Sequence, residues 1–230
     1  MQCRLAAVVV TAAASAFISA GAGAAPPRTF VERIDNPWLP FPPGATLVYR
    51  GVKDGSAARD VVRVTRRKTV VDGIRCTAVD DRLYVRGRLA ERTTDWYAQD
   101  RIGNVWYFGE ATAELDRSGR VTSREGSWRA GRNGARAGIV MPAHPRVGQT
   151  FRQEYFKGHA EDHFRILGLA ATVRVPYTAS RQALLTKEWT PLEPAVIDHK
   201  LYVRGIGLVI KEETVKGGEE RFVLVSVRRG

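Results

Sequence analysis

Apolar and polar residues alternate with a period of two along most of the chain from Ala45 onward. Runs such as "ATLVYRG", "VVRVTRRKTVV" and "VWYFGE" are rich in Val, Thr, Tyr and Trp. The turn signals "KDG", "VDG" and "RGR" separate such runs at short spacing. Short β-prone runs with this punctuation predict strands joined by hairpins. The pattern therefore indicates a mostly β fold, an antiparallel meander with little helix.

The second half of the chain repeats the plan of the first half. The segment 44–47, "GATL", corresponds to 148–151, "GQTF", at an offset of 104 residues, and Gly103 corresponds to Gly207 at the same offset. Tyr97 corresponds to Tyr202 at an offset of 105. Several matches in the same order predict an internal duplication. The two similar halves are 44–114 and 148–230, and an Arg/Gly-rich connector, 115–147, joins them.

One shared sheet is a better expectation than two separate domains. Each half is close to the size at which a fold without disulfides becomes marginal. A sheet that closes on itself also removes exposed strand edges. We therefore expect a single β domain, 44–230, in which both halves form one curled sheet, a barrel or a half-barrel.

The N-terminal segment has the features of an export signal. One positive charge at Arg4 precedes a long uncharged apolar run, and the small residues Ala22-Gly23-Ala24 follow it. This arrangement predicts a signal peptide over 1–24 that is cleaved near Ala24, and a secreted or periplasmic protein. The segment 25–43, with "NPWLPFPPG", is expected to run extended over the surface before the sheet begins.

The cysteine content is consistent with a fold held together by burial alone. The chain has two cysteines, Cys3 and Cys76. Cys3 lies before the apolar run and is therefore not placed for lipid attachment after cleavage. Removal of the signal leaves Cys76 without a partner for an internal disulfide. We expect Cys76 to be a small buried residue in a strand.

The segment "DWYAQDRIGNVWYFGE", Asp95–Glu110, carries five large aromatic residues on one predicted hairpin. Pairing of Ala98 with Trp106 would put Trp96, Trp106 and Phe108 on one face and the two tyrosines on the other. Both faces then carry aromatic rings, so both are covered or one of them lines a cavity. The rings form either a cross-strand aromatic core or one wall of a binding site.

A binding wall of this kind suits a lipid or another apolar small molecule, because the mouths of β-barrels often hold such ligands. The candidate ligand-binding residues are the aromatic residues of this hairpin and of other strand-like runs: Trp96, Tyr97, Trp106, Tyr107, Phe108, Trp128, Trp189 and Tyr202.

Acidic residues near these aromatic residues are the best candidates for chemistry. Asp95, Glu110, Glu154 and Glu188 form a candidate acidic cluster. Two carboxyl groups across a cavity could hydrolyse a glycan or an ester, but ion pairing with arginines is an equal alternative. No catalytic motif is present, and no cofactor is expected. His159 and His163 are too far apart on a strand to share a metal ion, so we expect no metal site.

The net charge is strongly positive. The whole chain carries +12 at pH 7, and eight arginines lie between Leu115 and Arg152. This concentration fits either a solvated connector or attraction to anionic polymers or lipid headgroups of the envelope. Export argues against a nucleic-acid partner.

At "DWYAQDRIGNVWYFGE", "GIVMPAHPRVGQTFRQEY" and "TKEWTPLEPAVIDHKLYVRGIGLV" the chain resembles a group of exported bacterial proteins of unknown function. Its "YVRGIGLV" stretch is similar to the closing strands of several secreted, β-rich, lipoprotein-like families. The resemblance covers nearly all of the chain after the signal. It implies export and a mostly β fold, and it implies no activity or catalytic residue. Cys3 departs from the lipid-attachment pattern.

Together these observations favour an exported, non-catalytic protein that binds an apolar or amphipathic envelope ligand. A hydrolase that uses acidic residues, and a structural envelope protein with a filled barrel, are the alternatives. The oligomeric state is left open.

Overall fold

The computed structural model describes residues 29–230, so the predicted signal segment, 1–24, lies outside the described residues. Regular structure in 29–230 consists of β-strands. Within that range no helix is long and apolar enough to span a membrane. In chain order the strands are β1 (Phe30–Val31), β2 (Thr46–Lys53), β3 (Ser56–Val71), β4 (Ile74–Val85), β5 (Arg88–Asp100), β6 (Val105–Leu115), β7 (Val121–Ser123), β8 (Trp128–Arg129), β9 (Arg136–Met141), β10 (Thr150–Arg152), β11 (Glu154–Tyr155), β12 (His163–Arg174), β13 (Ala179–Trp189), β14 (Ile197–Val203), β15 (Gly207–Lys216) and β16 (Arg221–Arg228).

Two-residue turns join β2, β3, β4 and β5. Both residues of each turn have positive φ: 48° and 67° at Asp54–Gly55, 48° and 75° at Asp72–Gly73, and 50° and 78° at Arg86–Gly87. Such turns match the right-handed twist of paired strands. The three turn signals of the sequence are therefore confirmed as tight hairpins.

The strands form one antiparallel sheet that curls into a nearly closed barrel, which confirms the predicted fold class. The order of strands around the sheet is β10-β12-β13-β14-β15-β16-β2-β3-β4-β5-β6-β9-β11. β10 pairs with β12, β11 pairs with β9, and a single residue, Gln153, separates β10 from β11. One extended segment, 150–155, thereby joins the two ends of the sheet.

The two halves of the sheet begin with the same local geometry. Gly44 and Gly148 both have φ of 90°. The Gly44 N–H donates to the Val64 carbonyl at 2.8 Å, and the Gly148 N–H donates to the Ile166 carbonyl at 2.9 Å. The duplication of the chain stays a prediction. The predicted connector, 115–147, contains β7, β8 and β9, and β9 is itself a strand of the barrel.

The segment before β2 is partly buried, whereas the sequence predicted that it runs over the surface. Ile34, Trp38 and Leu39 are buried and pack against Val105 and Met141 at the end of the barrel that holds the β5–β6 turn. Asn36 fixes this segment, because its side-chain amide donates to the Gly103 and Pro142 carbonyls at 2.8 and 3.1 Å. The physical reason is burial: Trp38 and Leu39 cover an apolar layer that would otherwise face water.

Cys76 is fully buried in β4, as predicted. Its thiol lies in the cluster that also contains Phe108 and Trp128. Burial raises the pKa of the Cys76 thiol to about 12. The residue is therefore an unreactive packing residue at neutral pH.

Asp100 organises the turn between β5 and β6. One carboxylate oxygen accepts hydrogen bonds from the backbone N–H groups of Ile102 and Asn104, at 3.1 and 2.9 Å. The other oxygen accepts from the side chain of Asn104 at 2.8 Å and from the indole N–H of Trp106 at 2.9 Å. The turn and the first buried aromatic residue of β6 thus depend on one carboxylate.

We expect Asp100→Ala to lower the free energy of unfolding by about 2–4 kcal/mol, because it leaves a buried indole N–H and two turn amides without their acceptor. Urea denaturation followed by tryptophan fluorescence measures the loss. Asp116→Ala is the matched control, because Asp116 caps an exposed turn with similar bonds to Ser118 and Arg120. A similar loss in both variants would contradict the argument.

Candidate functional site

The interior of the barrel, called the lumen below, has an apolar end and a polar middle. At the end closed by the segment 34–41, Leu39 and Phe41 lie close to Tyr97 and Tyr202. Beyond this layer, charged side chains such as those of Asp60, Asp81 and Lys211 lie beside a second apolar cluster, which includes Tyr49 and Leu224.

Lys211 crosses the lumen from β15 to β3 and β4. Its ammonium group donates to Asp60 and, at 2.6 Å, to Asp81. In the sheet, β15 is separated from β3 by β16 and β2, so this contact spans the interior. The Lys211 side chain is 26% exposed and that of Asp60 is 2% exposed. Some solvent therefore reaches the ammonium group, while the Asp60 carboxyl is shielded.

The charges of this group act on one another. Burial raises the pKa of Asp60 to about 8, although Lys211 acts to lower it. Burial also acts to raise the pKa of Asp81, but Lys211 and a hydrogen bond from Asp60 more than offset this and leave it below the ordinary value. Asp81 is therefore the ionised partner of Lys211, and Asp60 retains a proton more readily than an exposed aspartate.

A second lysine, Lys200 on β14, binds Glu188 on β13 at 2.6 Å. The other carboxylate contacts of Glu188 are the Thr186 hydroxyl at 3.2 Å and the Gln153 side-chain amide at 2.9 Å. Burial lowers the pKa of Lys200, but Glu188 and Tyr202 more than reverse this, so the net shift is upward. Lys200 and Glu188 thus form an ion pair inside the barrel.

Three of the four acidic residues that the sequence selected are neighbours: Asp95 faces the lumen, and Glu110 lines a solvent-open groove next to Trp128. Asp95 on β5 stands opposite Glu110 on β6 in the sheet register, and Glu154 lies on the nearby β11. The Asp95 carboxylate accepts a hydrogen bond from the Tyr107 hydroxyl at 2.7 Å. Glu154 is buried, and its Oε2 has no hydrogen-bond partner. These three residues are called the carboxyl cluster below.

Burial raises the pKa of every member of the carboxyl cluster. The pKa of Asp95 rises to about 7, with a further upward contribution from the charge of Asp81. The pKa of Glu154 rises to about 8, and Asp162 adds to the shift. The pKa of Glu110 rises well above its ordinary value, because burial is reinforced by Asp95 and Glu154. The cluster therefore holds protons close to neutral pH, where exposed carboxyl groups are ionised.

A cavity of about 120 Å³ lies between the apolar end and the charged middle of the lumen. Its lining combines apolar residues such as Phe41, Val62 and Leu208 with the charged residues Asp95 and Lys200. Because an engineered cavity of about 150 Å³ holds benzene, this space suits a ligand of roughly six non-hydrogen atoms. A full lipid chain exceeds it.

The eight aromatic candidates do not form one wall. Tyr97 and Tyr202 line the cavity. Tyr107 stacks on Tyr97 with ring centroids 4.9 Å apart, and Trp128 meets the Tyr107 ring edge-on at 5.4 Å. Tyr107 therefore packs behind the cavity lining, and Trp128 also lines a groove that is open to solvent.

The other four aromatic candidates lie away from the cavity. The predicted pairing of Ala98 with Trp106 is confirmed, and Tyr97 pairs with Tyr107. Phe108 is fully buried and packs edge-on against Phe30 of β1 at 5.4 Å. The remaining three contact neighbours outside the cavity: Trp106 packs against Phe30, Trp96 lies against Arg129, and Trp189 stacks on His163.

A groove of about 280 Å³ lies beside Trp96, Arg129 and Phe156 and is open to solvent. A wider surface depression of about 450 Å³ lies beside Trp38, His144 and Arg204. The groove also borders Glu110 and Trp128, whereas the paired charges of Lys200 and Lys211 lie in the lumen. We therefore place the candidate site in the lumen.

Histidines do not converge on a metal site in the described part of the chain. His159 stacks on Phe156 with ring centroids 4.4 Å apart, whereas His163 stacks on Trp189 at 5.6 Å. Among residues 29–230 no group of three His, Cys, Asp or Glu side chains is arranged to hold a metal ion.

Sequence reasoning missed the residues that give the lumen its charge: Asp60, Asp81, Lys200 and Lys211. A signal for one of them exists in "RDVVRV", where Asp60 shares a strand face with Val62 and Val64, and Val64 is fully buried. A charged residue in phase with core residues indicates a polar contact inside the fold. Lys211 gives no such signal, because "KEE" resembles the exposed end of a strand.

The fold and the site define a nearly closed antiparallel β-barrel with a small amphipathic cavity and an acidic interior. No protein-family model matches the sequence, and no curated protein shows significant similarity to it. The crystal structure of a "putative lipoprotein" from Parabacteroides distasonis is similar, with a TM-score of 0.42 and 10% identity over 87% of this chain and 99% of that chain. A TM-score below 0.5 does not establish a common fold for the two proteins.

Proposed function

We propose that the protein is an exported, non-catalytic binding protein that holds a small amphipathic envelope ligand inside the barrel. The observation that carries the proposal is the cavity of about 120 Å³ whose lining contains both apolar and charged residues. An apolar ligand part would lie against Phe41, Val62 and Leu208, and a polar part would face Asp95 and Lys200. The small volume favours a compact molecule over a lipid chain.

Charged groups of the lumen support binding rather than a filled, structural interior. A structural protein gains little from ion pairs in its interior, because well-packed apolar residues often stabilise a core as well or better. Here the charged side chains of Lys211 and Lys200 line the cavity itself. The hydrolase and the structural barrel stay alternative predictions, and no contact within the described residues favours either of them.

The second part of the proposal is that exposed arginines attract the protein weakly to anionic envelope surfaces. Arg117, Arg120, Arg124, Arg132 and Arg136 are all exposed, whereas the lumen is acidic. Positive charge on the outer surface would concentrate the protein at anionic polymers or headgroups without a specific contact.

Native mass spectrometry of protein purified from its own host tests lumen binding. We expect a co-purified small molecule on the wild-type protein. Val62→Phe puts a ring into the cavity and is expected to reduce the occupancy at least tenfold. Val70→Phe is the matched control on the same strand, because Val70 is 61% exposed, and it is expected to keep the ligand.

A mass equal to that of the bare chain after gentle purification would contradict the proposed function. Equal occupancy in folded Val62→Phe and Val70→Phe would place the ligand outside the cavity. Circular dichroism confirms that both variants are folded, since an added ring in a packed interior costs about 1–3 kcal/mol.

A further inference from the structure

The lumen contains many more carboxyl groups than ammonium groups. Two lysines, Lys200 and Lys211, stand among carboxyl groups on strands and turns from both halves of the sheet. The carboxyl groups in and around the lumen that act on one another are those of Asp60, Asp81, Asp95, Glu110, Glu154, Asp162, Glu188 and Glu212. The interior is therefore acidic in a chain whose net charge is +12.

Both lysines contact other carboxylates rather than the carboxyl cluster. Lys211 binds Asp60 and Asp81, and Lys200 binds Glu188. The carboxyl cluster of Asp95, Glu110 and Glu154 has no ion pair within the described residues. A buried cluster of this kind is costly unless a positive group compensates it.

Glu154 is the member of the carboxyl cluster that has a buried oxygen atom without a hydrogen bond. The residue is 7% exposed, and its Oε2 accepts no hydrogen bond. The Trp128 indole lies next to this carboxyl group, but its N–H also lacks a hydrogen bond of normal geometry. Charges on Asp95 (β5), Asp162 and Lys200 (β14) act on Glu154 as well. Trp128 packs against Tyr107, and the Tyr107 hydroxyl donates to Asp95, so the buried Glu154 carboxyl group lies near the pair formed by Tyr107 and Asp95.

Aromatic rings surround the cluster. Tyr97 and Tyr107 are stacked, and Trp128 packs edge-on against Tyr107. Carboxylates combined with aromatic rings are the usual environment for an organic ammonium group, which is attracted to both. Asp95 belongs to the cluster and also to the wall of the cavity, so the two features are continuous.

We propose that the lumen binds a small alkylammonium ligand, whose charged nitrogen contacts the carboxyl cluster and whose carbon chain occupies the cavity. This inference rests on the proposed function, because it names the chemical class of the ligand. A metal ion is a poorer fit, since no three carboxylate, imidazole or thiolate groups in residues 29–230 have a metal-binding arrangement. An ammonium nitrogen needs only hydrogen-bond and charge contacts.

Binding of an ammonium group is coupled to ionisation of the cluster. Burial raises the pKa of Asp95 to about 7 and that of Glu154 to about 8. The groups that face them are Asp81, Glu91, Glu110, Asp162, Lys200, Lys211 and the hydroxyl of Tyr107. At pH 5 the cluster is mostly protonated and attracts a cation weakly. At pH 8 it is more ionised, so the affinity for the cation rises.

The test is a titration followed by ¹H–¹⁵N NMR shifts, with n-pentylammonium, 1-pentanol and pentanoate as probes of similar shape. We expect the ammonium probe to bind at least tenfold more tightly than the alcohol at pH 8, and the carboxylate to bind least. We also expect the affinity for the ammonium probe to be at least fivefold higher at pH 8 than at pH 5. Its own charge does not change in this range.

Glu154→Gln and Asp95→Asn keep the shape of the site and remove a charge. Each is expected to weaken ammonium binding at least fivefold at pH 8 and to leave pentanol binding within twofold. Glu32→Gln is the matched control, because Glu32 is on the surface with a side chain that is 73% exposed, and it is expected to have no effect. A folded Glu154→Gln or Asp95→Asn variant that binds the ammonium probe like the wild type overturns the inference.

The outcomes separate the two proposals. If pentanol or pentanoate binds as tightly as pentylammonium, the amine inference is overturned while lumen binding stands. If none of the probes binds but native mass spectrometry shows a co-purified molecule, the amine inference alone is overturned. If no probe binds and no molecule co-purifies, the proposed function fails as well.

Discussion

Replacing Lys211 with methionine is expected to lower the free energy of unfolding by about 3–5 kcal/mol at pH 8. The substitution keeps much of the side-chain volume but removes the charge that Asp60 and Asp81 share. Removing one partner of a buried ion pair leaves the other charge uncompensated, which is the costly case. Chemical denaturation at a single temperature measures the change.

The defect of Lys211→Met should grow as the pH rises. Without the ammonium group, burial and mutual repulsion raise the pKa of both Asp60 and Asp81 in the folded state. The folded variant then binds protons that the unfolded chain releases near its ordinary aspartate pKa of about 3.9. The variant therefore loses stability as the pH rises above about 4, and the difference from the wild type is smaller at pH 5 than at pH 8.

Lys53→Met is the matched control, since Lys53 pairs with Glu220 near the surface, with side chains 34% and 19% exposed. Such a pair contributes at most about 1 kcal/mol. Equal losses in Lys211→Met and Lys53→Met, or a Lys211→Met defect that does not depend on pH, would show that Lys211 is not a buried counter-ion.

Truncating Phe108 to alanine is expected to destabilise the fold by about 3–5 kcal/mol and to leave lumen binding unchanged. Phe108 is fully buried and packs against Phe30, on the side of β6 away from Tyr107. Its removal leaves a cavity that the surrounding strands cannot fill. The expected loss of stability comes from lost packing. Phe108 does not line the cavity, although the sequence placed it among the candidate ligand-binding residues.

Thermal and urea unfolding measure the loss in Phe108→Ala, and native mass spectrometry follows the co-purified molecule in the same sample. Tyr177→Ala is a suitable control because Tyr177 is 38% exposed, and it should cost less than about 1 kcal/mol. Loss of the ligand from a folded Phe108→Ala variant would mean that the outer aromatic residues take part in binding.

The aromatic hairpin shows how far sequence reasoning reached. The pairing of Ala98 with Trp106 follows from the position of the turn, and the structure confirms it. Period-two alternation then separated Trp106 and Phe108 from Tyr97 and Tyr107 correctly. What the sequence did not reveal is which of the two faces lines the cavity, because both faces carry large apolar rings.

The acidic residues illustrate a different limit. Asp95 and Glu110 are opposite each other in one hairpin only because a β-bulge shifts the register between Asp95 and Tyr97, since the regular pairing would place Gly109 opposite Asp95. Glu154 joins them only because β11 pairs with β9, which in turn pairs with β6. Lys211 and Asp60 are 151 residues apart in the chain. Sequence spacing contains no information about contacts of this kind.

The sequence by itself determined the strands, the tight turns and the antiparallel, all-β character of the protein, because alternation and turn chemistry act over a few residues. Only the tertiary structure decided that the chain before β2 closes one end of the barrel, and which charges meet inside it. The reason is closure: the curled sheet brings distant strands face to face across a polar interior. In a single sequence, a strand face turned to such an interior has the same mixed pattern as a face turned to water.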